Sequence, residues 1–195
     1  MISPTANEAL AALLAGNQRF AAGASLGPRR SADRRAEVAG AQRPFAAVIA
    51  CSDSRMPPEI IFDCGLGDLF VIRVAGNVLD DVVLGSVEFA VTSLGVGLVL
   101  VLGHSRCGAV MAALEGGEPP GHIGSVVERI RPALAWVKAA GGDVVDAAIR
   151  ANIEMSVAAL RTSQPILAPL VTDGRLQIVG AHYDLTTGLV EILDR

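Results

Sequence analysis

The chain has 195 residues, 51% of them hydrophobic and 18% charged, with a formal net charge of −4. This length and apolar content suit a single globular domain with its own core, expected over 1–195 with a helical N-terminal arm at 1–40 and an α/β core at 41–195. The acidic balance argues against a nucleic-acid surface, and three cysteines do not make a disulfide framework, so a reducing compartment and metal ligation fit better.

In chain order, Asn7 to Phe20 places apolar and polar residues at helical spacing and predicts an amphipathic helix rather than a signal peptide. Ala22 to Arg35 mixes Gly, Ser, Pro and Arg and reads as an arm leading to a short helix before Gly40. Its pairs Arg29-Arg30 and Arg34-Arg35 suit a solvated or dimer-embracing arm better than a nucleic-acid patch. Ala46 to Ala50 is the first buried strand, and Leu69 to Ala75 the second, ending at Gly76-Asn77. Gly65-Leu66-Gly67 precedes a strand instead of following one, so it reads as a turn and not a phosphate loop. Val82 to Thr92 is helical with Gly95 as its stop. Leu98 to Leu102 is the third strand, Gly108 to Leu114 opens a helix, and Glu115 to Gly124 is an exposed loop that holds His122.

Further on, Val126 to Ala140 is expected to be helical, with Trp136 as a packing residue, and so is Val144 to Leu160. Gln164-Pro165 starts another short helix. Leu176 to Ala181 is a fourth strand, Thr187-Gly188 turns the chain, and Leu189 to Leu193 is the last strand. His182 reads as a satisfied strand-end histidine. Strands alternating with helices predict an α/β fold: a mostly parallel central sheet of about four strands with an antiparallel edge strand, flanked by helices. The longest apolar run, Val96 to Leu102, is far too short to span a bilayer, and a cytoplasmic location is expected.

Two polar clusters stand out. Cys51-Ser52-Asp53-Ser54-Arg55 follows the first strand, and Gly103-His104-Ser105-Arg106-Cys107-Gly108 follows the third. Sites in open parallel sheets form at the carboxyl ends of strands, so the two clusters can meet there. Cys51, His104 and Cys107 offer two thiolates and an imidazole, a soft set suited to zinc, and three protein ligands leave a fourth position free for catalysis. Cys107 lies at a helix start, where unpaired amides and the helix dipole favour the thiolate. Arg55 can clamp the Asp53 carboxylate with two parallel hydrogen bonds and keep it ionised. Asp53 then either accepts the hydrogen of water on the metal or binds the metal itself and closes the site. Cys64 reads as an inert small hydrophobe.

The pair of motifs resembles the β-class carbonic anhydrases, and the likeness runs from Asn17-Gln18-Arg19-Phe20 to Val179-Gly180-Ala181-His182-Tyr183-Asp184. The resemblance implies reversible hydration of carbon dioxide to bicarbonate and a proton, one zinc per chain, and obligate dimers, often paired into tetramers, with sites at the subunit interface. It implies Cys51, His104 and Cys107 as zinc ligands and Asp53 with Arg55 as the catalytic dyad, Asp53 serving as a fourth ligand in a closed state. It also implies a substrate region: Gln42 orients substrate, Phe70 and Phe89 line an apolar pocket, Ala75 stands where valine is frequent, and the Gly108 amide faces the reacting oxygen. The allosteric branch of the family carries Trp three residues before the first cysteine and Gly immediately before it. Val48 and Ala50 stand there instead, which favours the plant-like, open-site branch. Cys64 replaces a glutamine found in relatives. Two rival functions use the same residues: a hydrolase of carbonyl sulfide or carbon disulfide, and a non-catalytic zinc or thiol sensor whose metal Asp53 closes off.

Overall fold

Thr5 starts the first helix. Its hydroxyl accepts from the Glu8 amide while the Glu8 carboxylate accepts from the Thr5 amide, a reciprocal capping box, and α1 runs Ala6–Ala21 behind it. The computed structural model describes residues 4–135, 137 and 143–194. Ala9, Leu10 and Leu13 form the buried stripe of α1. At Gly16 the helix meets the backbone of Phe62 so closely that a Cβ would lie 1.9 Å from the Phe62 carbonyl oxygen; only glycine permits this crossing. At the next residue, the Asn17 side chain donates to the Gly188 carbonyl and accepts from the Val190 amide, each at 2.8 Å, which ties α1 to the far edge of the sheet.

The arm that follows, with α2 at Ala32–Glu37, is strapped to the body by buried carboxylates. Asp63 accepts from Arg19 Nε and from the amides of Leu26 and Gly27, and Asp68 accepts from Arg29 Nε. Arg30 and Arg34 donate to the carbonyls of Cys64 and Leu66. Of the arginines expected on a solvated or partner-embracing arm, Arg29, Arg30 and Arg34 therefore bind groups of their own chain. Arg29 and Arg30 remain exposed while making these bonds.

The sheet has five strands: β1 Ala46–Cys51, β2 Leu69–Val74, β3 Leu98–His104, β4 Gln177–Tyr183 and β5 Val190–Asp194. Their order is β2-β1-β3-β4-β5, parallel throughout except for the antiparallel β4–β5 pair, as the alternation predicts. Every residue of β1 and β3 is buried, because helices cover both faces of the central strands and no polar face is needed. Ala50 pairs with Leu102, so Cys51 and His104 leave the sheet side by side at its carboxyl edge.

The covering helices are α3 Pro58–Ile61, α4 Asp81–Leu94, α5 Gly108–Glu115, α6 Ile123–Leu134, α7 Val144–Thr162 and α8 Leu167–Thr172. Asp80 caps α4 through the Val83 amide, and Gly95 ends it at φ 70°. Asp143 caps α7 through the amides of Val145 and Asp146. The helix expected over Val126 to Ala140 begins earlier and stops at Leu134, soon after Pro132, which removes one backbone donor from its last turn. Trp136 and residues 138–140 lie outside the described residues. β2 stops at Val74, one residue short of expectation, because the chain turns sharply through Ala75–Asn77, with Gly76 at φ 68°. The helix expected from Gln164-Pro165 begins at Leu167, and α3 was not expected at all.

Candidate metal centre

Cys51 ends β1, His104 ends β3 and Cys107 precedes α5, so the adjacency of two central strands brings the three side chains to one point. Their ligand atoms all lie within 4.8 Å of one another and all three residues are buried. The two sulfurs are 4.0 Å apart. His104 Nδ1 lies 2.9 Å from the Ser105 carbonyl. A carbonyl only accepts, so Nδ1 carries the proton and Nε2 presents its lone pair. That Nε2 is buried without a hydrogen-bond partner. An orphaned imidazole lone pair beside two thiols is the donor set that zinc takes, so the residues present fit the ion.

The two thiols titrate as a pair. Cys51 is pushed well down, first by the hydrogen bond from the Cys107 thiol, with further help from the amides of Gly76 and Asp53, against the opposing effect of burial. Cys107 is pushed up by the same bond to Cys51 and by burial. A cation bound between them would displace the proton the two sulfurs share, so that both could bind as thiolates.

Asp53 approaches the group from the loop after β1, with Oδ2 3.9 Å from His104 Nε2. Arg55 holds it in a two-pronged bond and adds its backbone amide. That pairing, chiefly the side-chain hydrogen bonds, keeps the carboxyl far below the usual carboxylate range in spite of partial burial. The carboxylate is engaged with Arg55 and is not among the three clustered ligand atoms.

The residues expected to bind substrate are placed unevenly. Ala75 and Gly108 are exposed and adjoin the buried group, Ala75 after the Val74 that pairs with Cys51, Gly108 after Cys107 itself. A Cβ on Gly108 would meet nothing within 4 Å, so open space lies beside it. Phe70 and Phe89 pack as a tilted pair with ring centroids 6.1 Å apart, and Phe89 is 50% exposed. Gln42 is exposed in the irregular segment before β1.

Among the remaining candidates, Cys64 is buried and donates to the Phe62 carbonyl, and burial pushes its thiol up to about 12, the inert behaviour expected of it. His122 is exposed in the loop before α6. His182 is buried at the end of β4, but it is not satisfied as expected: Nε2 lacks a hydrogen bond and faces Asp146 Oδ1 at 3.3 Å.

Sequence reasoning passed over two supports of the site. Arg73 donates to the carbonyls of Cys51 and Asp53, at 3.0 and 2.6 Å, and fixes the loop between them. A cation inside the apolar strand Leu69–Val74 was the available signal. Gly76 donates its amide to Cys51 Sγ at 3.2 Å.

A mostly parallel α/β sheet thus gathers two thiols and one imidazole at its carboxyl edge, a donor set that could hold a zinc ion, with a clamped carboxylate beside them. The carbonic anhydrase family model matches residues 46–190. A carbonic anhydrase of Mycolicibacterium smegmatis is 45% identical over 185 residues, covering 93% of this chain and 90% of that protein. Carbonic anhydrase 2 of Mycobacterium tuberculosis is 44% identical over 187 residues, covering 94% and 90%. Among solved structures, the β-carbonic anhydrase of Coccomyxa in complex with acetazolamide superposes with a TM-score of 0.76 at 29% identity, over 94% of this chain and 86% of that one. The β-carbonic anhydrase CafA of Aspergillus fumigatus gives 0.75 at 31% identity, over 95% and 90%. The chain belongs to the β-class carbonic anhydrases. It is a carbonate dehydratase, its reaction is the reversible hydration of carbon dioxide, and its cofactor is zinc.

Proposed function

We propose that Cys51, His104 and Cys107 hold one zinc per chain and that Asp53 stays off it, so that the centre works as an open site. The observation that carries this is the Arg55 fork, which takes both Asp53 oxygens while His104 Nε2 and the two sulfurs point at one another. A zinc ion bound there supplies Lewis acidity, which makes hydroxide available from water at moderate pH.

The protein's own groups do the rest. Asp53, held ionised by Arg55, accepts the hydrogen of the attacking oxygen and so aims a lone pair at the carbon of carbon dioxide. Arg55 binds both Asp53 oxygens, reaches the Arg106 carbonyl at 3.5 Å, and acts as the positioning residue of Asp53. The Gly108 amide, at the start of α5, and the Gln42 side chain hold the substrate oxygens, where backbone N–H groups and the helix dipole favour the charge that develops on them. Phe70, Phe89 and Ala75 give the apolar surface on which a nonpolar gas displaces water. Release of bicarbonate and export of a proton to buffer complete the turnover.

In this reading the unit is a single domain that acts as a homodimer, with Gln42 and the Phe70–Phe89 surface completed across the interface. A structural relative from Sordaria macrospora is described as tetrameric, which supports assembly beyond one chain. Cytoplasmic residence is supported by three free cysteines and by the lack, among the described residues, of a helix long and apolar enough to cross a membrane. Hydrolysis of a sulfur analogue and a closed sensor site are not favoured by the relatives. The test is carbon dioxide hydration measured across pH with zinc content beside it and a parallel assay for sulfide release. Hydration that tracks zinc is the expected result; sulfide release without hydration, or zinc without either activity, overturns the reading.

A further inference from the structure

Asn152 stands in the middle of α7, only 1% exposed and far in sequence from both metal motifs. Its Nδ2 donates to the Gly76 carbonyl at 2.9 Å, and the Gly76 amide donates to Cys51 Sγ at 3.2 Å. A single residue is therefore gripped on one side by a helix and on the other by a thiol of the metal group. We propose that Asn152 is a positioning residue of the zinc site. It fixes Gly76 so that the amide stays aimed at Cys51 Sγ, and through that bond it sets how strongly the Cys51 thiolate binds the metal. The inference rests on Cys51 being a zinc ligand.

Gly76 needs such a hold. The β1–β2 ladder ends where Cys51 pairs with Val74, so no strand partner orients the residue beyond it. Its φ of 68° lies in the region that favours glycine, and glycine brings the most backbone freedom. A side chain cannot restrict it, because a Cβ there would come within 2.8 Å of Ile130 Cδ1 and 3.1 Å of Ala109 Cβ. The constraint has to come from outside, and a buried carbonyl requires a donor in any case.

Two features point to a donor role over simple packing. The Asn152 Oδ1 atom is buried without a partner, which costs stability, whereas a leucine would fill a similar volume at no such cost. The direction of the second bond also fits a metal site. An N–H aimed at a thiolate draws charge from sulfur, and it would ease the repulsion between the two sulfurs once a cation has displaced the proton they share.

The test compares Asn152→Leu and Asn152→Ala with Ser156→Ala. The Ser156 hydroxyl donates to the Asn152 backbone carbonyl at 2.9 Å, so its loss perturbs the same turn of α7 without removing the bond to Gly76. Zinc affinity is read by chelator competition, and the thiolate environment by the sulfur-to-metal charge-transfer band of the cobalt-substituted proteins. Both Asn152 variants are expected to bind zinc about 10–100-fold more weakly and to shift the band, as loss of an outer support does. Ser156→Ala should match wild type in both. A folded Asn152 variant with wild-type affinity and an unshifted band overturns the proposal. Cadmium-loaded wild type, labelled for NMR, adds a check that needs no variant. A scalar coupling from the metal to the Gly76 amide proton through Cys51 Sγ is expected, and its absence overturns the proposal too. Cys51→Ser separates the two levels: if that variant keeps zinc, the ligand reading itself fails; if it loses zinc while the Asn152 variants stay at wild type, only this inference fails.

Discussion

Arg55 holds Asp53 by both oxygens, Nε 2.8 Å from Oδ1 and Nη2 2.6 Å from Oδ2. The carboxylate that lies nearest His104 is thereby committed to an arginine. Removing the fork frees it to turn toward the metal. Arg55→Ala should keep its zinc and lose turnover by about 100-fold or more, the scale of a misplaced proton acceptor. Arg55→Lys should recover little, since an ammonium cannot make the two-pronged bond. Zinc analysis and hydration rates check the first part. X-ray absorption near neutral pH checks the place of the carboxylate: a wild-type spectrum with protein ligands alone would overturn the open site.

The metal group sits at the edge of a core that is otherwise apolar, so the fold and the site should come apart cleanly. Cys107→Ser removes one of two sulfurs and should lose most of its zinc and its activity. The far-ultraviolet circular dichroism should stay close to wild type, because β1 and β3 are buried along their whole length in an apolar core. A strong chelator should abolish hydration in the wild type and added zinc should restore it. Wild-type zinc and turnover in Cys107→Ser would remove Cys107 from the ligand set.

The parts legible from sequence are those with local periodicity or dense chemistry. β1 and β3 read as strands because burial on both faces leaves uninterrupted apolar runs, and Gly95 marks the end of α4 because a left-handed cap needs glycine. Cys51, Asp53, Arg55, His104 and Cys107 read as one site because each motif follows such a strand. What stayed hidden depends on distance. α3 has four residues, too few to display a period. The hydrogen bonds of Arg29, Arg30 and Arg34 were not legible because their partners lie more than 30 residues away. Asn152 and Gly76 are 76 residues apart and carry no pattern that links them.

The straps of the N-terminal arm should make stability depend on acid pH. Burial pushes the Asp63 carboxyl upward, but the amides of Leu26 and Gly27 and the Arg19 guanidinium outweigh it and hold the group at about 2. Unfolded, it returns to about 3.9. A lowered folded pKa means stabilisation that is complete above the unfolded value and is lost as pH falls toward the folded one. Melting temperature should therefore decline between about pH 4 and 2 in part through this group. Asp63→Asn should lower stability near neutrality by on the order of 1.5–3 kcal/mol, the range for hydrogen bonds to a charged group, and should flatten the acid limb. Thermal melts followed across pH test this; a variant whose melting temperature falls as steeply as wild type over that window would count against it.

The last expectation concerns assembly. β2 is an edge strand, paired only with β1, and long flat edges invite pairing with another chain. Beside that edge, Ile60, Leu66 and Phe89 are each 40–50% exposed, and Phe89 packs against Phe70 of the edge strand itself. Apolar surface of this kind is costly to leave in water and is stabilising when a second copy covers it. Gln42 is exposed in the segment before β1. The enzyme should accordingly sediment as a dimer or larger at concentrations where it is active, and specific activity should fall on dilution below the dissociation constant. Phe89→Asp puts a charge on the covered face and should weaken association and turnover together, while leaving zinc content near one per chain. A dilute monomer with full activity would show that each chain carries a complete site.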